Sequence, residues 1–214
     1  MNIAIIGSKG RMGQVLCSKL KEKHDVIEVE KGESLNKCYD AEILIDFSTG
    51  RNSAETATWC LGNKKKLIIG ATGQTQGELK KIMSASKFVP VVMAGNFSLG
   101  VARIKACLEK LIDDKTESVV IFEKHHKSKV DKPSGTALEL KDKITEIHGQ
   151  KPEVLSLRGG EEIGTHEISF YYESEVIKVC HQAFSRGAFV SGVEYAIEFL
   201  SQCDEAGLYE FNKI

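Results

Sequence analysis

A strand, a glycine turn and a helix near the N-terminus constrain this fold more than anything downstream. Asn2 to Ile6 is a short apolar run that passes directly into Gly7-Ser8-Lys9-Gly10-Arg11-Met12-Gly13, after which Met12, Val15, Leu16 and Leu20 line one side of a predicted helix. Glycines at this GxxGxxG spacing let the backbone turn tightly, approach a pyrophosphate and pack the helix on a sheet, while the helix start favours phosphate charge. A second predicted strand, Asp25 to Val29, ends at Glu30, close to where a dinucleotide-binding fold keeps an acid for the adenosine ribose. Lys31 follows at once and suits a 2′-phosphate instead, so both cofactor types stay open.

The next strands repeat the theme. Ala41 to Ile45 runs into Asp46-Phe47-Ser48-Thr49, Lys66 to Ile69 into Gly70-Ala71-Thr72-Gly73, and Val89 to Met93 into Ala94-Gly95-Asn96-Phe97-Ser98. Helical patterns such as Leu79, Ile82 and Met83 lie between them. Strands alternating with helices imply a parallel sheet covered on both faces, and ligands of such sheets sit beyond the carboxyl ends of the strands. Any one of these small polar clusters reads as an ordinary loop; together they mark one edge.

A helix patterned by Ile104, Cys107, Leu108 and Leu111 then leads to a strand over Val119 to Phe122 and the stretch EKHHKSKVDKPSGT, Glu123 to Thr136. Strand alternation sends Glu123 and His125 to one face, Lys124 and His126 to the other. Ser134 is a good N-cap for a helix carrying Ala137, Leu140, Ile144 and Ile147. The N–H groups of Gly135, Thr136 and Ala137 are expected to point back toward the histidines and, with Lys127, Lys129 and Lys132, to attract a carboxylate or phosphate. Alone, this is a solvated basic loop before a capped helix. Its pairing with the glycine turn argues for more.

Beyond it come Val154 to Arg158, the glycines 159, 160 and 164, and two half-buried strands, His166 to Tyr172 and Val176 to Gln182, joined around Glu173-Ser174. Their alternation marks a second, α+β domain with antiparallel strands. A last helix with Val193, Ala196, Ile197 and Leu200 needs a partner surface, and the first domain is the nearest candidate. The expected domains are residues 1–97 with 187–214 for the dinucleotide, and 98–186 for substrate binding and oligomerisation.

Across 214 residues the formal net charge is only −1, so no global field favours nucleic acid. Six scattered cysteines without a CxxC pair read as reduced thiols of a cytoplasmic protein. Met1 to Gly7 lacks the features of a signal peptide, no run reaches membrane-spanning length, and no clustered carboxylates suggest a metal cage.

With these motifs in order, the sequence resembles the dihydrodipicolinate reductase family over nearly its whole length. The most specific part is E-x-HH-x-x-K-x-D-x-PSGT at Glu123, His125, His126, Lys129, Asp131 and Pro133 to Thr136. Asp46-Phe47-Ser48, Gly70 to Gly73, Asn96-Phe97-Ser98, Arg158, Gly164, His166 and Ser185-Arg186 match its further landmarks. The resemblance implies a Rossmann-like α/β domain with a second α+β domain. It also implies an oxidoreductase of the diaminopimelate route to lysine that uses NADH or NADPH on a cyclic imine dicarboxylate. By family position His125 is the acid, Lys129 its charged partner, and His126, Gly135 and Thr136 contact substrate. Gly7, Gly10, Arg11, Met12, Gly13, Glu30, Lys31, Phe47, Ser48, Gly70, Thr72, Gly73, Ala94, Asn96 and Phe97 are expected to hold the cofactor. Arg158 and His166 are expected to order the site or a subunit contact. A homotetramer joined through second-domain sheets is implied too, with Ile168, Phe170 and Tyr172 as its apolar face. Two rivals remain at this point, a sugar or amino-acid dehydrogenase of similar build and a non-enzymatic dinucleotide sensor. The first has no reason for PSGT after the lysine loop; the second has no reason to keep both His125 and Lys129.

Overall fold

The computed structural model describes all residues, Met1–Ile214. The chain divides into two compact units, Met1–Phe97 with Phe189–Ile214, and Ser98–Ala188. No helix is long and apolar enough to cross a membrane.

The first unit is built on strands β1 (Asn2–Ile6), β2 (Asp25–Val29), β3 (Ile43–Asp46), β4 (Lys66–Ile69) and β5 (Pro90–Met93), alternating with helices α1 (Arg11–Leu20), α2 (Gly50–Asn63) and α3 (Gln76–Ser86). In spatial order the sheet reads β2, β1, β3, β4, β5, all parallel. The central strands are β-branched and leucine-rich, and Ile3, Ile5, Ile43, Leu44, Ile45, Leu67, Ile68, Ile69, Val91 and Val92 are almost wholly buried, as a sheet covered on both faces requires. β3 starts two residues later than its apolar run suggests and takes in Asp46, because Glu42 is exposed and pairing with β1 begins at Ile43.

An edge strand escapes the sequence reading. After α6 (Gly187–Gln202), β10 (Gly207–Glu210) pairs parallel with β5 as the sixth strand of this sheet. Four residues alternating half-buried and exposed leave too little apolar run to announce it. Gly192 in α6 meets the loop after β5 so closely that a Cβ there would lie 1.8 Å from the Phe97 carbonyl oxygen.

The second unit contains α4 (Leu99–Leu111), α5 (Gly135–His148) and strands β6 (Ser118–His125), β7 (Glu153–Arg158), β8 (Gly164–Tyr171) and β9 (Val176–Ala183). The sheet order is β7, β6, β8, β9. It is mixed, not purely antiparallel, because α5 serves as a crossover that brings β7 parallel to β6. Paired on both sides, β6 continues through His125, so Glu123 and His125 sit on a strand and not in a loop.

The inward face carries Val119, Ile121, Ile168 and Phe170 against Ile104, Leu108, Leu140 and Ile144 of the two helices, with Tyr172 packed alongside. This overturns Ile168, Phe170 and Tyr172 as an intersubunit surface, since they belong to the unit's own core. The apolar residues that remain outside, Leu155, Leu157, Tyr171 and Val176, lie on the opposite face of the same sheet.

Candidate active site

In the first unit the loop after each strand is tied back to a neighbouring strand. Gly7 N–H donates to the Val29 carbonyl at 3.0 Å, Phe47 to Ile6 at 3.1 Å, Gly70 to Asp46 at 2.9 Å and Ala94 to Ile69 at 3.1 Å. The expected cofactor loops therefore follow one another along the carboxyl edge of the sheet. Their packing is tight. Gly7 adopts φ +82, and a Cβ on Gly13 would lie 2.1 Å from the Gly7 carbonyl oxygen. One on Gly70 would lie 2.2 Å from the Phe47 ring, which in turn packs 5.8 Å from that of Phe97.

Asp46 organises the turn below Phe47. Wholly buried, its carboxylate accepts from Ser48 N–H at 2.8 Å, the Ser48 hydroxyl at 2.5 Å and the Thr56 hydroxyl at 2.9 Å. Burial pushes this carboxyl up, and the three donors offset part of that.

Helices α2, α3, α4 and α5 start with side-chain caps from Thr49, Thr75, Ser98 and Ser134. α1 starts at Gly10 without one, and the buried Ser8 hydroxyl in the same turn has no partner. An uncapped first turn beside an orphaned donor is the arrangement a pyrophosphate would satisfy, so these residues fit a dinucleotide. Arg11 is exposed and Met12 half-buried at that helix start, while Thr72, Gly73 and Asn96 lie in the loops after β4 and β5. At the end of β2, Glu30 pairs with Lys9 at 3.2 Å, both exposed, and Lys31 is exposed beside them.

The second unit gathers charge inside a core. Glu123, fully buried on β6, accepts from His125 Nδ1 at 2.5 Å and from both terminal nitrogens of Arg158, at 2.7 and 2.9 Å. Its Oε1 also accepts the Ser134 N–H at 3.3 Å. Burial pushes this carboxyl up, but the Arg158 guanidinium and His125 more than reverse that and hold it at about 2. Burial lowers His125 below its ordinary value, with Lys129 and Arg158 adding to the effect and Glu123 opposing it.

Arg158 Nη2 reaches on to the Asp131 carbonyl at 2.6 Å, and Lys129, half-buried, pairs with the Asp131 carboxylate at 2.8 Å. His125 and Lys129 thus share one guanidinium-organised corner. His126 faces away, half-buried, its Nδ1 2.8 Å from the Ser128 hydroxyl. The α5 start differs from expectation in one respect. Ser134 Oγ accepts the Ala137 N–H at 3.2 Å, so that amide, one of the three expected to face an anion, is taken by the cap.

Two histidines continue the inner row across the sheet, where Glu123, His166 and His181 stand in register. His166 Nε2 lies 3.1 Å from Ser134 Oγ and His181 Nε2 3.0 Å from Ser98 Oγ, so each ring braces a helix cap. Burial pushes His166 down to about 3, with His125 adding to the shift. The shared face of Glu123 and His125 was recoverable from alternation, because Glu-x-His on a strand places both side chains on one face. The cross-strand partners were not.

Comparison with known proteins assigns a family to both parts of the chain. The model of the dihydrodipicolinate reductase N-terminus matches residues 1–97, and that of the C-terminus residues 100–214. The chain belongs to the dihydrodipicolinate reductase family.

Among its relatives, 4-hydroxy-tetrahydrodipicolinate reductase of Thermosipho africanus is 33% identical over 217 residues, covering 100% of this chain and 97% of the relative. The protein of that name from Campylobacter jejuni is 32% identical over 237 residues, covering 99% and 98%. A dipicolinate-bound dihydrodipicolinate reductase from Paenisporosarcina sp. TG-14 superposes with TM-score 0.84 at 21% identity, covering 100% of this chain and 99% of that one, and so shares the fold. The chain is accordingly an oxidoreductase of the diaminopimelate route to lysine that uses NADH or NADPH. Both rival readings fall away.

Proposed function

We propose that the chain reduces the cyclic imine dicarboxylate 4-hydroxy-tetrahydrodipicolinate, or dihydrodipicolinate, to tetrahydrodipicolinate, with His125 as proton donor and Lys129 as its charged partner. The observation that carries this assignment is the corner formed by Glu123, His125, Arg158 and Lys129 beside the start of α5. The bound reduced nicotinamide supplies the hydride. Hydride addition to a conjugated imine pushes electron density into the ring, and a proton must follow; an imidazolium provides it while an ammonium stabilises the developing charge. Burial keeps the His125 ring neutral more readily than usual, and an arriving dicarboxylate offsets that by adding negative charge nearby. One substrate carboxylate would be received by Lys129 with the amides of Gly135 and Thr136, and His126 would contact the substrate from the other face of the strand.

The cofactor would lie on Gly7, Gly10, Gly13 and the loops carrying Phe47, Gly70 and Asn96. Glu30 suits a ribose hydroxyl, whereas Lys9 and Lys31 suit a 2′-phosphate that displaces Glu30 from its ion pair. Dual use of NADH and NADPH follows. The finer setting rests on two further features. Six free cysteines suit a reducing cytoplasm. The exposed face with Leu155, Leu157, Tyr171 and Val176 suits burial between subunits of a homotetramer.

Steady-state oxidation of each reduced cofactor in the presence of substrate tests the reading. Turnover with both is expected, and a preference in kcat/KM above about a thousandfold, roughly 4 kcal/mol, would reject dual use. No turnover with either cofactor would reject the reaction.

A further inference from the structure

We propose that Glu123 is a positioning residue, whose buried carboxylate holds His125 by Nδ1 so that Nε2, lying over the side-chain-free Gly164, is the atom that gives up the proton. This rests on the reading of His125 as the acid and deepens it. Both oxygens of Glu123 are engaged, and the bidentate Arg158 fork makes it an ionised acceptor with no proton to give. The 2.5 Å contact to Nδ1 therefore requires the hydrogen on Nδ1. The neutral ring then carries its lone pair at Nε2, and the second proton of the imidazolium resides there. In the reducing step the Nε2–H bond breaks, the proton joins the substrate atom onto which the π electron pair displaced by the hydride has moved, and the ring is left as the neutral Nδ1–H tautomer.

Gly164 supports the same end of the ring. A Cβ at that position would lie 2.8 Å from His125 Nε2 and 3.1 Å from Cδ2. Its backbone is not among those with positive φ, so a turn does not require glycine there. What the missing side chain provides is clearance beside Nε2. Arg158 has a second effect, because it neutralises Glu123 and also holds the Asp131 carbonyl, steadying the loop of Lys129. The titratable and charged groups facing His125 are thus Glu123 on its own strand, Arg158 on β7, His166 on β8 with ring centroids 5.2 Å apart, and Lys129 on the following loop. Glu123 alone raises the proton affinity of the ring.

Long-range 15N correlation spectra of the full chain, without ligand, should show His125 protonated at Nδ1 and bare at Nε2 above its pKa. The opposite tautomer in the wild-type protein would overturn the proposal without any variant. In Glu123→Gln the tautomers should mix, kcat should fall about a hundredfold, and the alkaline limb of kcat/KM should move to lower pH, because the group that raises the ring's proton affinity is gone. Cofactor affinity should not change. The double variant Glu123→Gln with Arg158→Gln removes the unpaired guanidinium and should show a limb displacement in the same direction but smaller, since Arg158 lowers the ring's proton affinity. If kcat fell in these variants while the limb and the tautomer stayed put, Glu123 would be structural only. Gly164→Ala should lower kcat with the Nδ1–H tautomer retained, and full activity of that variant would remove the clearance argument. His125→Gln separates the two readings: unchanged kcat there rejects His125 as the acid, whatever its tautomer.

Discussion

Around the six-stranded sheet the positions proposed to face the cofactor are set by backbone, through glycines that admit no Cβ and amides tied strand to strand, whereas around the four-stranded sheet the proposed site is set by buried side chains. Asp46 and Glu123 show the difference in one chemical group. Both are fully buried carboxylates, at or near the carboxyl ends of their strands. Asp46 meets only neutral donors and its proton affinity rises; Glu123 meets a guanidinium and an imidazole and is held at about 2. A neutral scaffold suffices to shape the loops proposed for the dinucleotide, whereas the proposed proton donor is held in one orientation by a permanent charge.

The contrast breaks first, and most completely, if α6 and β10 are dispensable. Removing residues 189–214 takes the edge strand and Val190, Val193, Ala196, Ile197 and Leu200 from the first unit, and should abolish cofactor binding by unfolding it. Unchanged affinity for NADH or NADPH in the truncated chain would show that the helix belongs elsewhere. Next, His125→Gln should lower kcat by about 10² to 10⁴, roughly 3–5 kcal/mol, with cofactor affinity intact. His126→Gln is its control, and loss of turnover there with a normal His125 variant would reverse the assignment.

The acid response of the second unit sharpens the comparison further. His166 falls from its ordinary 6.5 to about 3 in the fold, so its contribution is complete above pH 6.5 and is lost as pH falls toward 3. Between pH 7 and 4.5 this removes about 2.5 kcal/mol, and His166→Gln should flatten that part of the profile in urea titrations. An equally steep profile in the variant would place the acid sensitivity in other groups. A smaller effect is expected at the glycine turn. Gly13→Ala puts a methyl 2.1 Å from the Gly7 carbonyl oxygen, and the backbone shift should weaken cofactor binding by about 1–2 kcal/mol while leaving KM for the imine substrate at saturating cofactor unchanged. A raised KM for the substrate as well would mean that the two sites are not set independently. Least of all, Thr136→Val keeps the backbone amide and should cost under about 1 kcal/mol in kcat/KM; a larger loss would move the contact to the hydroxyl.

The amino-acid sequence by itself determined the parallel sheet, its glycine turn, the Ser134 cap and the facing of Glu123 with His125. All of these are local, resting on period, on residues without side chains and on the spacing of a cap to its helix. The same alternation could not say which face of the second sheet meets its helices, and Ile168 and Phe170 went inward because α4 and α5 cover that side. Nor did β10 declare itself, since four residues gain their strand identity from an edge already present at β5. Tertiary structure alone brought Arg158 from β7, thirty-five positions along the chain, to the Glu123 carboxylate, and His166 from β8 to the Ser134 cap. Such pairs join residues distant in sequence, and their strength comes from burial, which exists only once the strands have assembled.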